Sequence, residues 1–221
     1  MTFPKTVLNK VNRIPDRGRY DKETIYPIID EALICHVGFT ENDQPFVIPT
    51  LHARDGDTLI LHGAKASRMI KHVSDGNPVC IAITHVDGIV FARSVFHHSI
   101  NYRSAVIFGH GKLIKKADEK MRALEVLTEH IAKGRWYDAR LPNQKEIAAT
   151  SVVRIEIESA AAKIRSGVPK DDKEDYDLPI WAGVLPIAPQ YHSSLNDPVL
   201  APNLMPPDYV VNYTRQKKTA T

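Results

Sequence analysis

The sequence predicts a mainly β, α+β fold of antiparallel strands with peripheral helices. Short apolar runs separated by tight polar turns recur along the chain, which is the pattern of antiparallel meanders. Helical patterns are few, and they do not alternate regularly with the strands, so a doubly wound parallel sheet is disfavoured. Length adds little constraint: 221 residues suffice for one well-buried domain and do not demand a second.

Residues 1–12 mix Lys5 and Lys10 with few apolar side chains and read as a loose arm rather than a signal peptide. Asp21 can cap a helix through Ile25, Ile28 and Ile29, with Pro27 inside it. Ala32–Phe39, Phe46–Leu51 and Leu59–Leu61 follow as strands, parted by turn chemistry at Glu41–Gln44 and at Asp55-Gly56-Asp57. Ser67–Asp75 reads as a short helix ended by Gly76-Asn77-Pro78. Strands are expected at Val79–Thr84, Ile89–Arg93 and Tyr102–Ile114. Asp118 then caps a helix whose apolar stripe is Met121, Leu124, Leu127 and Ile131, stopped by Gly134. In Val152–Ile157, Val153, Ile155 and Ile157 alternate with Arg154 and Glu156, the signature of a half-buried strand. Gly167–Pro179 is acidic and bounded by proline, an ordered loop or a mobile lid. A last strand, Trp181–Ile187, precedes an irregular, Pro-rich extension over 188–221. All of this is expected to form one domain.

The net charge is +3 and the isoelectric point about 8.8. That excess is too small to indicate nucleic acid, and no block of five basic residues occurs, yet it suits a small anionic ligand. Cys35 and Cys80 lie within apolar runs and read as reduced core residues, with no C-x-x-C pair. No apolar run approaches the roughly 20 residues of a membrane helix, so the expected location is the cytoplasm.

The richest local signal runs from His62 to Lys71. A strand ends, Gly63 and Ala64 let a ligand approach the backbone, and a helix begins, where free N–H groups favour an anion. Lys65, Arg68 and Lys71 recur every three residues and share one side of that helix, while Met69, Ile70 and Val73 lie opposite. Ser67 can donate its hydroxyl to a phosphate or cap the helix. The same pattern fits a solvated basic face. Gly109-His110-Gly111-Lys112 lacks the remaining residues of a P-loop or a dinucleotide fingerprint, and no G-x-S-x-G elbow exists. His97 and His98 are adjacent, and adjacent strand residues point to opposite faces. With no H-x-x-x-H pair on a helix either, no metal site is expected.

Four runs, "QPFVIPTLHARDGDTLILHGAKASRMIKHVSDGNPVCIAI", "NYRSAVIFGHGKLI", "GRWYDARLPNQKEIAATSVVRIEIES" with "AAKIRSG", and "LPIWAGVLPI", occur in order between Gln44 and Ile187. Together they resemble the pyridoxamine 5′-phosphate oxidase-like superfamily of FMN-binding split β-barrels, in its nitroimidazole-resistance branch. The resemblance implies a homodimer with FMN at the subunit interface. Ile48, Pro49 and Thr50 would offer backbone to the isoalloxazine edge, and His62, Gly63 and Ala64 would line its other side. Lys65, Ser67, Arg68 and Lys71 would hold the phosphate, with Arg103 and Ser104 reaching the phosphate or ribityl chain. Trp181 resembles a family tryptophan that closes over the flavin across the dimer; it equally suits a dimer core.

This sequence departs from the vitamin B6 oxidases in two places. Ser67-Arg68 is followed by Met69 where they carry lysine, so Lys71 substitutes or one contact is lost. No Arg-x-His-Asp-Arg segment follows Pro186, which weakens pyridoxamine or pyridoxine 5′-phosphate oxidation as the activity. The expected function is an FMN-dependent oxidoreductase that takes electrons from NADH or NADPH and reduces a small organic acceptor. His62 is its candidate proton relay or, alternatively, a structural histidine. A non-catalytic flavin or haem binder is the rival from another class.

Overall fold

The computed structural model describes residues 1–215. In chain order the strands are β1 (Gly18–Arg19), β2 (Ile34–Glu41), β3 (Gln44–Leu51), β4 (Ala53–Asp55), β5 (Thr58–Ala64), β6 (Pro78–Phe91), β7 (Ser99–Leu113), β8 (Thr150–Glu156), β9 (Ser159–Arg165) and β10 (Gly183–Pro186). The helices are α1 (Lys22–Glu31), α2 (Arg68–Ser74), α3 (Ala117–Ile131), α4 (Arg135–Asp138), α5 (Gln144–Ala149) and α6 (Asp208–Val211). None among the described residues is long and apolar enough to cross a membrane. The chain forms two compact units. The first comprises Met1–Ala32, Cys80–Phe108 and Glu158–Pro189; the second comprises Leu33–Val79, Gly109–Ile157 and the described residues from Gln190.

In the first unit the strand order is β10–β6–β7–β9–β1, with antiparallel pairing of β10 to β6 and of β9 to β7 and β1. β6 is one continuous strand where two were expected. Gly88 marks a close approach rather than a break, since a Cβ there would lie 3.0 Å from Val184 Cγ1 and 3.1 Å from the Leu185 carbonyl. β9 was not anticipated, because its three alanines carry little β signal. Their small size lets α1 pack on this strand, with Ile25, Ile28, Ile29 and Ala160–Ala162 all buried. The Asp21 carboxylate caps α1 by accepting the Thr24 N–H at 2.8 Å.

The first dozen residues, expected as a loose arm, contain two buried side chains, Phe3 and Asn9. The Phe3 N–H donates to the Tyr20 carbonyl at 2.9 Å, and the Asn9 amide donates to Pro4 and Ala160 carbonyls, both at 3.0 Å. One buried aromatic ring, worth about 1.5–3 kcal/mol, is enough to fix so short a segment. The acidic stretch after Gly167 is likewise held as an ordered loop. Asp171 accepts the backbone N–H groups of Arg93 (2.9 Å) and Ser94 (3.2 Å) and the Arg93 guanidinium (3.2 Å).

In the second unit β2 and β3 form a hairpin from Ile34↔Leu51 to Glu41↔Gln44. Its two turn residues, Asn42 and Asp43, have φ of 50° and 60°, as a type I′ turn requires. A separate ladder runs β7–β8–β5–β4. α3 contributes Ala123 and Leu127 to a core with Ala53, Ile60, Ile114 and Val152, and Leu124 packs at its margin. Ile131, expected on the apolar stripe, is exposed because the helix ends there. Asp118 does not cap α3 as expected. Lys116 holds that position, and Asp118 lies in the first turn, where its charge still complements the helix N-terminus. The glycines at 109 and 111 serve packing. A Cβ on Gly109 would sit 1.9 Å from the Glu156 carbonyl, and one on Gly111 would sit 2.1 Å from Val73 Cγ1.

Candidate functional site

The basic turn lies wholly within the second unit. β5 delivers a buried Leu61, then His62, Gly63 and Ala64, registered against Val152, Ser151 and Thr150 of β8. The chain turns through Lys65 and Ala66, closed by a Ser67 N–H to Ala64 carbonyl bond of 2.9 Å. Ser67 then caps α2, its Oγ accepting the Ile70 N–H at 3.5 Å; the hydroxyl proton remains available to an acceptor. Met69, Ile70 and Val73 are buried, which turns Lys65, Arg68 and Lys71 to solvent. Gly63 belongs to the same packing, since a Cβ there would meet Ile70 Cγ1 at 3.0 Å.

Among the described residues the two lysine ammonium groups make no ion pair. Arg68 is engaged: its Nε lies 3.0 Å from Glu41 Oε2, and its guanidinium lies over the Phe46 ring at 4.2 Å. The hairpin tip thereby fixes the direction of Arg68. The pair is half-exposed and adds little stability, so an arriving anion can compete with Glu41 for the guanidinium. His62 carries the sharpest signal. It is half-buried, its Nδ1 is buried without a hydrogen-bond partner, and burial lowers its pKa below the ordinary value. The imidazole is therefore neutral at pH 7 and offers one unmet hydrogen-bonding position. Ile48, Pro49 and Thr50 lie in β3 of the same unit, and β3 touches β5. Their backbone partners are Val37, His36 and Cys35 of β2. A cleft of this unit, about 740 Å³ and bordered by Lys112, Glu119 and Arg154, contains none of these residues.

The remaining expected site residues, Arg103, Ser104 and Trp181, belong to the first unit. Arg103 donates to Glu31 through Nη1 (2.6 Å) and Nη2 (2.9 Å), and to Asp87 through Nε (2.9 Å) and Nη2 (2.8 Å). Four of its five N–H donors are thus committed to carboxylates, which raise its pKa further. The Ser104 hydroxyl donates to the Lys163 carbonyl at 3.2 Å. Trp181 is 71% exposed, tilted against Phe91 with ring centroids 5.9 Å apart, and lies over Gly183, where a Cβ would reach within 2.8 Å of the indole. Sequence reasoning missed Glu41, Phe46, Glu31 and Asp87. Each reads as an ordinary turn or surface residue until the fold brings it to an arginine.

A search of curated proteins finds no match. Among solved structures, the flavocytochrome Anf3 from Azotobacter vinelandii is 35% identical, with TM-score 0.88 over 93% of this chain and 96% of its own. The FAD and haem binding protein from Mycobacterium smegmatis is 31% identical, with TM-score 0.85 over 88% and 96%. A protein described as a candidate 5-nitroimidazole antibiotic resistance protein from Bacteroides thetaiotaomicron is 26% identical, with TM-score 0.57 over 66% and 86%. These similarities bear out the split β-barrel fold class read from the sequence. The sequence profile described as pyridoxamine 5′-phosphate oxidase matches residues 21–164, and the chain belongs to that family.

Proposed function

We propose that this protein is a flavin- and haem-binding redox protein, and that the turn from His62 to Lys71 holds the phosphate of its flavin nucleotide, FMN in the shortest form. The observation that carries the flavin half is the basic turn itself: two unpaired ammonium groups and the Ser67 hydroxyl beside a buried imidazole nitrogen that lacks a partner. A phosphate monoester or diphosphate satisfies that donor set through charge-assisted hydrogen bonds. The haem half is supported by likeness, at 35% and 31% identity, to a flavocytochrome and to an FAD and haem binding protein.

Bound flavin supplies hydride exchange with a nicotinamide and electron exchange with a second acceptor. The chain's part is to bind and to hold a proton. Lys65 and Lys71 neutralise the phosphate, and Arg68 joins them by leaving Glu41. His62, neutral at pH 7, holds one proton that Nδ1 either donates or lacks, which suits a hydrogen bond to a ring heteroatom. A second copy of the chain would cover the exposed Ile89, Trp181 and Leu185 of the first unit, giving a homodimer.

Purified protein, loaded with FMN or FAD and with haemin, is expected to show both flavin and Soret absorption, and anaerobic NADH or NADPH to bleach the flavin bands. Light scattering is expected to report a dimer. A protein that retains neither chromophore after gel filtration overturns this reading.

A further inference from the structure

The first unit contains a cleft of about 490 Å³ that none of the expected site residues lines. Its charge is one-sided. Arg13, Arg17, Arg165 and Lys170 line it, and no carboxylate among the described residues does. The side chains of Arg13, Arg17 and Lys170 make no hydrogen bond or ion pair among the described residues. Arg165 is the buried floor of this group. It donates to the Asn101 side chain and to the Gly167 carbonyl (3.2 Å), and burial together with the charge of Arg17 lowers its pKa. Crowded cations without a counter-charge destabilise one another, and an anion relieves them.

Four apolar side chains, Ile14, Phe96, Ile164 and Val168, form part of the lining. Phe96 and Val168 line it with 88% and 70% of their surface exposed, unusual for large side chains unless something covers them. Beside Phe96 stand the two adjacent histidines. They lie on a 3-10 turn and at its cap rather than on a strand, so strand alternation does not set their directions. Their ring nitrogens differ. His97 Nε2 is taken by Asp172 Oδ2 at 3.2 Å. His98 Nδ1 lies 3.1 Å from the Ser94 carbonyl, an acceptor only, so Nδ1 carries the proton and Nε2 carries the lone pair. A backbone carbonyl on Nδ1 that fixes the tautomer and leaves Nε2 free is the usual support of a metal-binding histidine. Nε2, farther from the backbone than Nδ1, is also the nitrogen that meets the iron of a flat macrocycle without crowding from Cβ.

We infer that this cleft is the haem site, with His98 Nε2 as an axial ligand and Arg13, Arg17 and Lys170 receiving the propionates. The inference rests on the proposed haem-binding reading and gives it a place in this chain. An apolar disc, two carboxylates and an iron that takes imidazole match the four apolar side chains, the unpaired cations and the free His98 nitrogen at the cleft. Its volume lies within the range of about 300–1,000 Å³ usual for cofactor pockets.

Haemin titration of the full chain, followed by Soret absorbance and by the ferric spin-state bands, tests the inference. Wild-type protein is expected to give a saturable complex with an imidazole-ligated spectrum. His98→Ala is expected to lose that spectrum and regain it with added imidazole, while His97→Ala retains it. Arg13→Ala with Arg17→Ala is expected to weaken haemin at least about tenfold, the loss of one charge-assisted contact. Far-UV circular dichroism establishes that each variant is folded. If wild type binds no haemin, the haem half of the proposed function fails and this inference with it. If wild type binds haemin and His98→Ala keeps the same ligated spectrum, or the arginine variants dissociate the dimer without touching haemin affinity, the site lies elsewhere and only this inference falls.

Discussion

Replacing Arg103 by methionine decides between two roles for that residue, and the geometry favours the structural one. Its guanidinium makes four hydrogen bonds of 2.6–2.9 Å to Glu31 and Asp87. At about 1.5–3 kcal/mol for each bond to a charged group, the gross interaction is roughly 6–12 kcal/mol. Most of that is offset. The side chains of Glu31, Arg103 and Asp87 are 20%, 29% and 35% exposed, so water partly rehydrates both carboxylates once the arginine is gone. Stranding a fully buried partner costs about 3–5 kcal/mol, and partial exposure places Arg103→Met near the bottom of that range, about 3 kcal/mol. For a chain of this length that lowers Tm by roughly 6–12 °C. Urea unfolding monitored by circular dichroism is the assay. Adding Glu31→Gln and Asp87→Asn to Arg103→Met is expected to restore about half of the loss or more, because no unpaired charge remains. A loss below about 1 kcal/mol, combined with a large drop in FMN affinity, would refute this reasoning and return Arg103 to the phosphate.

The second unit yields further expectations. Arg68→Ala should weaken FMN by about 1.5–3 kcal/mol, whereas Glu41→Gln should tighten it by up to about 1 kcal/mol by releasing the guanidinium; unchanged affinity in both variants would show that Arg68 faces away from the ligand. Because burial lowers the His62 pKa, the folded state resists protonating it, so the associated stability is present above the ordinary value of 6.5 and is lost as pH falls through the lowered one. His62→Gln should therefore flatten the pH dependence of the urea midpoint below pH 6.5 while still binding FMN, and parallel pH profiles would mean that Nδ1 is satisfied in solution. Burial pushes the Cys35 thiol up to about 12, and raises the half-buried Cys80 as well. A thiol reagent at pH 8 should label Cys80 before Cys35, with Cys35 reacting only after unfolding; equal rates in the folded protein contradict its burial.

Local patterns in the sequence predicted the local structure well. The Asp21 cap, the β2–β3 hairpin and the Ser67 helix start all follow from residues within a few positions of one another, which is where propensity and capping act. Predictions failed where distant chain segments decide the outcome. The alanines of β9 become strand only because α1 needs small residues beneath it, and Gly88 reads as a break until β10 is seen against it. The arm is held by Phe3 and Asn9, whose backbone and side-chain bonds reach Tyr20 and Ala160, far along the chain. One local signal was readable and passed over: Asn143 and Glu146 form a capping box that starts α5. At the site, the three-residue spacing of Lys65, Arg68 and Lys71 belongs to three exposed residues, of which Lys65 lies in the turn before α2 rather than on the helix. It carries no information about Glu41, 27 positions from Arg68 in the sequence, or about the carboxylates that occupy Arg103. Ion pairs between remote segments leave no pattern in a single sequence.

The most direct test of the flavin claim compares riboflavin, FMN and FAD on the same protein by fluorescence titration, with Lys65→Ala/Lys71→Ala alongside wild type. If the His62–Lys71 turn reads phosphate, FMN and FAD bind at least about tenfold more tightly than riboflavin, and most of that margin disappears in the double variant. The ratio of FAD to FMN affinity then identifies which nucleotide the turn accommodates. Equal affinity of riboflavin and both nucleotides for wild type, or a margin untouched by removing the two lysines, would contradict the account.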